Sequence, residues 1–306
     1  MNREIIIQQT LKALEKNGFT TSNFLQSNAC FDIIAKKQED VLIIKVYENI
    51  DSIRKDQAEE IKKLSGLLNA NCIIIGDKTK VFVLEHGAVY FRHEIPVVTP
   101  ETFDEILLGR TPAVKNFKGK NIVELDSEKL SELRKDLKLS MAELAEKIGV
   151  AAETISRYES GAKTSLETAK KLEMQLNADL VKKVDLFGQN NMKKFGDETP
   201  NEELLEKLHE LGMKMALFRH SPFKAYGKSE NLFIATGKGK FDIPKKALEL
   251  KKTSTIIDSD SVIVTKEYKV TKVDGIPIIS EVDLDSISKS KDLKKFISER
   301  ENDEDF

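Results

Sequence analysis

The residues with the most specific chemical spacing run from Leu139 to Gly161, LSMAELAEKIGVAAETISRYESG. Ala145 is small enough for two helices to approach, Gly149 permits a turn with positive φ, and Ile155 plugs the second helix onto the first. Such a pair presents its second helix to a DNA groove. Ser140 and Glu143 have the spacing of a capping box that opens the first helix. The two cysteines, Cys30 and Cys72, and the four histidines, His86, His93, His209 and His220, show no CxxC or HxxxH spacing for a metal. No glycine-rich phosphate loop or nucleophilic triad is present, so the sequence supplies no catalytic residue, no metal site and no cofactor.

Around this pair the pattern predicts a small all-helical unit. Leu130, Leu133 and Leu137 line a preceding helix, and Thr164 with Glu167 caps a following one carrying Leu166, Ala169, Leu172 and Leu176. From Asp126 to about Leu180 these residues, including ISRYESG, resemble the Cro and lambda-repressor helix-turn-helix family. The resemblance implies that Ala152, Glu153 and Arg157 face base edges. Ala151 and Ser160 then lie near phosphates, with Thr154 and Ser156 close by, and Lys163 is counted with the DNA-binding residues.

Arg157 is the clear guanine reader of the set, Glu153 can accept from a cytosine amine, and Ala152 can touch a thymine methyl. Two departures weaken the phosphate contacts. Ala151 stands where the family has a hydroxyl cap, and Met141 stands where it has glutamine. Acidic residues also slightly outnumber basic ones between Asp126 and Leu180, whereas a DNA-binding domain is ordinarily basic. The missing charge can come from Arg110, Lys115, Lys118 and Lys120 before the domain, and from Lys170, Lys171, Lys182 and Lys183 in its last third and just beyond it.

Composition bounds the rest. The chain has 306 residues, 40% hydrophobic and 33% charged, with a net charge of −2. That is enough for two or three globular domains. No apolar run approaches a membrane span, and MNREIIIQQTLKALEKNG has a helical period in place of a signal peptide's apolar core, so a cytoplasmic protein without membrane contact is expected.

Residues 1–109 read as one α/β domain. Ile7, Leu11 and Leu14 give a first helix its apolar face; CFDIIAKK and DVLIIKVYEN form a hairpin about Gln38 and Glu39. A second helix spans Gln57 to Leu68 and NCIIIG is a buried strand. VFVLEHGAVYFRHEIPVVT then gives two strands with a turn at His86 and Gly87, and PETFDEILLG a last helix.

This order, with Asp32 on one strand and Lys45 on the next, resembles the restriction-endonuclease and Holliday-junction-resolvase fold. In that fold an aspartate and a second acidic residue, two before the lysine, hold magnesium while the lysine steadies the attacking water. Here the second acidic position is Ile43, which cannot ligate a hard cation. A nuclease-like fold without cleavage is expected, with Asp32 and Lys45 as a structural ion pair or as unrelated surface charges.

The last third repeats the first. SPFKAYGK aligns with ACFDIIAK, NLFIATG with VLIIKV, ALELKK with AEEIKK, STIIDSDSVIV with NCIIIGDKTKVFV, and DGIPIISEVDLDSI with RHEIPVVTPETFDEI. Aligned without a gap, Asp32 becomes Lys224 and Lys45 becomes Ala235.

The expected fold class is therefore α+β multidomain, two restriction-endonuclease-like α/β units flanking an all-α helix-turn-helix domain. The boundaries are a nuclease-like domain 1–109, a basic connector or hairpin 110–125, the helix-turn-helix 126–182, a linker 183–200, the second copy 201–290 and an acidic, disordered tail 291–306. The whole arrangement resembles a family of archaeal helix-turn-helix transcriptional regulators.

That resemblance implies a regulator that binds double-stranded DNA as a homodimer; the motifs identify no small-molecule effector. Two other readings stand beside it. One is a protein-binding adaptor, favoured by the near-neutral charge and by Ala151 and Ala152; the other is a metal-dependent nuclease whose missing carboxylate comes from Glu4 or Glu39.

Overall fold

The computed structural model describes every residue except Gln26, Asn28, Lys118, 187–195, Lys240, Lys269 and 303–306. The first part of the chain forms α1 (Arg3–Lys16), β1 (Thr20–Asn23), β2 (Ile33–Lys37), β3 (Asp40–Asn49), α2 (Lys55–Leu67), β4 (Asn71–Lys78), β5 (Ala88–Arg92), β6 (Ile95–Val98) and α3 (Pro100–Leu107). Then come β7 (Val114–Phe117), β8 (Lys120–Ile122), α4 (Ser127–Asp136), α5 (Met141–Ile148), α6 (Ala152–Glu159) and α7 (Leu166–Leu176). The last part forms α8 (Glu203–Glu210), β9 (Met215–Leu217), β10 (Ala225–Gly227), β11 (Leu232–Gly237), α9 (Asp242–Ile257), β12 (Asp260–Thr265), β13 (Lys272–Val273), β14 (Ile276–Ser280), α10 (Glu281–Asp285) and α11 (Ser290–Asn302).

One sheet has the strand order β1-β2-β3-β4-β6-β5-β7-β8 and the other β13-β14-β12-β11-β10-β9. Reversed, the second order is that of the first six strands of the first. The register agrees residue by residue. Asp32 N donates to Ile44 O and Lys224 N to Ile234 O, both at 2.8 Å, so Lys224 holds the place of Asp32 and Ala235 that of Lys45. Phe24 meets Phe31 edge-on at 5.0 Å, and Phe218 meets Phe223 edge-on at 5.0 Å. One α/β unit, with its aromatic lock, is built twice.

The chain divides into two compact units, neither of them a continuous stretch. One comprises Met1–Ala13, Tyr47–Ser52 and Ile74–Gln189; the other Leu14–Val46, Ile53–Ile73 and Asn190–Phe306. In the second, α9 packs on β11 and β12 and also on β1 and β2. There the buried Glu60 carboxylate of α2 accepts from Arg219 N at 2.7 Å and His220 N at 2.8 Å, which offsets the cost of burying its charge.

In the first unit β5 pairs in parallel with β7, which turns into β8, and the chain then runs directly into the helical region. Val123 and Leu125 bridge to Thr164 and Val181, and both are buried in one core with Leu130, Leu144, Ile155 and Leu172. The helical core thus starts at Val123, which is held to Thr164 by backbone hydrogen bonds in both directions.

Several local expectations need correction. The turn of the late hairpin lies at His93 and Glu94, both with positive φ, and not at His86 and Gly87. Residues 80–84 form no strand, because Thr79 Oγ1 accepts from Val81 N and Phe82 N and curls the chain. Helix α7 is capped by Ser165, whose hydroxyl accepts from Thr168 N; Thr164 is held in its bridge to Val123. Leu137 is 51% exposed and does not line α4.

The tail is helical as far as Asn302, since Leu293 and Ile297 are buried among Leu204, Leu208 and Ile279. Residues 303–306 lie outside the described residues, as does half of the linker, 187–195; its end is pinned where Glu198 pairs with Lys63 at 2.7 Å and accepts from Leu217 N. Among the described residues no helix is long and apolar enough to cross a membrane.

Candidate nucleic-acid interface

Helix α5 begins where the spacing predicts. Glu143 N donates to Ser140 Oγ at 3.1 Å and Ser140 N donates to Glu143 Oε2 at 2.7 Å. The backbone and the hydroxyl of Ser140 hold the Glu143 carboxyl below its usual range. The helix ends on Gly149 in the left-handed region, φ 75°, from which Val150 N returns to Ala145 O at 3.0 Å. Only glycine takes that conformation without Cβ strain, and the chain leaves it already turned toward α6.

Ala151 is the N-cap of α6, extended at φ −80° and ψ 153°, with no side-chain acceptor. Along α6 the inward stripe is Ile155, fully buried, with Ala152 and Tyr158 partly buried. The outward side carries Glu153, Ser156 and Arg157, all exposed, with Thr154 half-buried at its edge; Ala151 and Ser160 are exposed at its two ends. Lys163 is exposed beyond the helix, and its ammonium lies 3.1 Å from Glu124 Oε1. The same oxygen is 3.0 Å from Lys115 Nζ, and the two lysines lower the Glu124 pKa, Lys115 most.

One determinant of this face was not visible in the local pattern. Arg134 of α4 is buried and grips Glu159 in the last turn of α6, Nε to Oε1 at 2.5 Å and Nη2 to Oε2 at 2.9 Å, while Nη1 donates to Leu139 O at 2.9 Å. This two-pronged ion pair fixes the rotation of α6 about its own axis, and hence the direction in which Arg157 points. Arg134 and Glu159 are 25 positions apart, beyond any helical period.

The nuclease-like positions also meet. Asp32 is buried, with Oδ1 3.0 Å from Lys45 Nζ and Oδ2 accepting from Val46 N at 2.8 Å. Lys45 Nζ also donates to Ala29 O at 2.8 Å. Ile43 is fully buried in the sheet. Glu39 sits at the turn between β2 and β3 and Glu4 is exposed on α1; Glu39 is thus about 20 Å along the strand from Asp32, too far to complete a ligand set.

Magnesium needs several oxygen ligands, and here one carboxylate is already engaged by an ammonium and an amide beside an isoleucine. The residues do not fit the metal. Among the described residues no cluster of histidine, cysteine or carboxylate could hold one. Cys30, next to this pair, is a buried thiol whose pKa burial pushes up.

Comparison with known proteins identifies two of the domains. The model of the PD-(D/E)XK superfamily domain matches residues 3–112, and that of the helix-turn-helix matches residues 130–182. No solved structure matches the chain. A protein of Archaeoglobus fulgidus is 34% identical over 96% of this chain and 97% of its own length. One of Methanocaldococcus jannaschii is 32% identical over 96% of each, and one of Pyrococcus furiosus 33% identical over 98% of each.

All three bear the name "Putative HTH-type transcriptional regulatory protein". With a PD-(D/E)XK α/β domain, a helix-turn-helix and a second α/β sheet along nearly the full length of these relatives, the chain belongs to this archaeal family of HTH-type transcriptional regulatory proteins.

Proposed function

We propose that this chain is a sequence-reading regulator that binds double-stranded DNA as a homodimer. Two copies of α6 then enter successive major grooves about one helical turn apart, over an inverted repeat. The observation that carries this reading is the outward side of α6, where Glu153, Ser156 and Arg157 are exposed while Ile155 and the Arg134–Glu159 pair hold the helix from behind. Arg157 is assigned to a guanine and Glu153 to a cytosine amine, whereas Ala152, expected at a thymine methyl, packs against the core on the inward side of α6 and is not assigned a base. Ala151, Ser160 and Lys163 flank the phosphates, with Thr154 and Ser156 beside them.

The α/β units are assigned a scaffolding role without hydrolysis. Asp32 and Lys45 act as a buried ion pair that closes the start of β2 onto β3, and Ile43 adds an apolar contact where a nuclease needs a ligand.

Recovery of the DNA bound by the full-length protein, followed by sequencing, tests this reading. A shared inverted repeat supports it. Uniform recovery without a motif, together with co-purification of a protein partner, would assign the fold to an adaptor role, the reading favoured by the bare Ala151 cap and the slight acidic excess.

A further inference from the structure

The β7–β8 hairpin carries one face that the domain's own sequence pattern does not use. Lys115 pairs with Ile122 and Phe117 with Lys120 across the two strands. Directly opposed residues of an antiparallel pair point to the same side, as do positions two apart on one strand. Lys115, Phe117 and Lys120 therefore share a face.

The position of that face is given by Glu124. Its Oε1 is 3.0 Å from Lys115 Nζ and 3.1 Å from Lys163 Nζ, so these two ammonium groups lie within about 6 Å of each other. Lys163 sits just past the end of α6, and the next residue, Thr164, is bonded in both directions to Val123 at the foot of β8, at 2.8 and 3.0 Å. The hairpin and the end of the recognition helix are consequently one fixed junction. Phe117 and Lys120 lie one step, about 7 Å, further out along the same strip, and both are exposed. The hairpin turns at Gly119, φ 79°.

Phe117 is 58% exposed next to lysines, and a ring in that setting suits a deoxyribose flanked by phosphates. We infer that the β7–β8 hairpin is a second DNA-contacting element, on which Lys163, Lys115 and Lys120 form a strip that follows the sugar–phosphate backbone beside the groove read by α6. Phe117 rests on the sugars between them. This extends the regulator reading and supplies the positive charge that the helical domain lacks. Glu124 spaces Lys115 and Lys163 and keeps the strip from repelling itself when DNA is absent.

The test uses the full-length protein and a mixed-sequence duplex, with affinity measured over a range of salt for the wild type, Lys120→Ala, Lys120→Glu, Phe117→Ala and Arg157→Ala. Lys120→Ala should lower the slope of log K against log salt by about 1 and Lys120→Glu by more, each weakening binding equally on every sequence. Phe117→Ala should weaken binding with the slope unchanged. Unchanged thermal melts confirm folding, as expected for exposed hairpin positions. If both Lys120 variants keep the wild-type slope and affinity while Arg157→Ala weakens binding, the hairpin assignment is wrong and the regulator reading stands. If the wild type shows no salt-sensitive binding to any duplex, both fall.

Discussion

Arg134 and Glu159 form a buried two-pronged ion pair that ties the first helix of the DNA-reading domain to the last turn of its recognition helix. Removing one partner leaves the other charge without compensation in a place with little water. Glu159→Gln or Arg134→Ala should lower stability by about 3 kcal/mol. The double change Arg134→Met with Glu159→Leu should recover most of that loss, because apolar groups of similar size avoid the desolvation cost. Chemical unfolding of the three variants checks the order.

The same pair makes a prediction about acid. Arg134 holds the Glu159 carboxyl below its usual range, so the pair contributes stability in full above the ordinary carboxylate pKa. That contribution fades as pH falls below the ordinary value and through the lowered one. Unfolding followed from neutral pH into acid should therefore show a steeper loss in the wild type than in the Met–Leu double variant. Parallel curves would mean that Glu159 titrates alike in the folded and unfolded chain.

Ala151 leaves the start of α6 without a side-chain acceptor, although its backbone already has the extended conformation of a cap. Ala151→Ser should raise stability by about 1 kcal/mol. The new hydroxyl also faces the phosphate side, so duplex affinity should rise without a change in sequence preference. Gel shifts beside thermal melts separate the two effects.

Asp32 and Lys45 yield a contrast between stability and cleavage. Asp32→Ala strands the Lys45 ammonium and the Val46 amide in the interior, at a cost of about 3 kcal/mol. Duplex and branched DNA incubated with magnesium should remain intact with the wild type as with the variant. Cleavage by the wild type that Asp32→Ala abolishes would reverse the account of the α/β unit.

Much of the helix-turn-helix was legible because its determinants are local. Ser140 and Glu143, Ala145, Gly149 and Ile155 lie on one short stretch of two consecutive helices, and each holds the place its spacing predicts. The doubled α/β unit was legible because its central strands are largely apolar, which let Lys224 and Ala235 be aligned with Asp32 and Lys45.

What the sequence hid was non-local. Nothing near Arg134 points to Glu159, nothing near Glu124 joins Lys115 to Lys163, and the capture of Thr164 by Val123 moved the α7 cap to Ser165. The tail was misread for a compositional reason. Its charges mask the spacing of Leu293 and Ile297, which is enough to bury one side of a helix.

The central claim is that the exposed side of α6 meets the duplex through Arg157. The direct measurement compares wild type and Arg157→Ala on a bound duplex and on single-base variants of it, at one fixed salt concentration. The account predicts a loss of about 1–3 kcal/mol in affinity and relaxed preference at a single guanine position. Unchanged affinity with unchanged preference would contradict it, because the side of α6 left open by Ile155 and Glu159 would then not be the side that reads DNA.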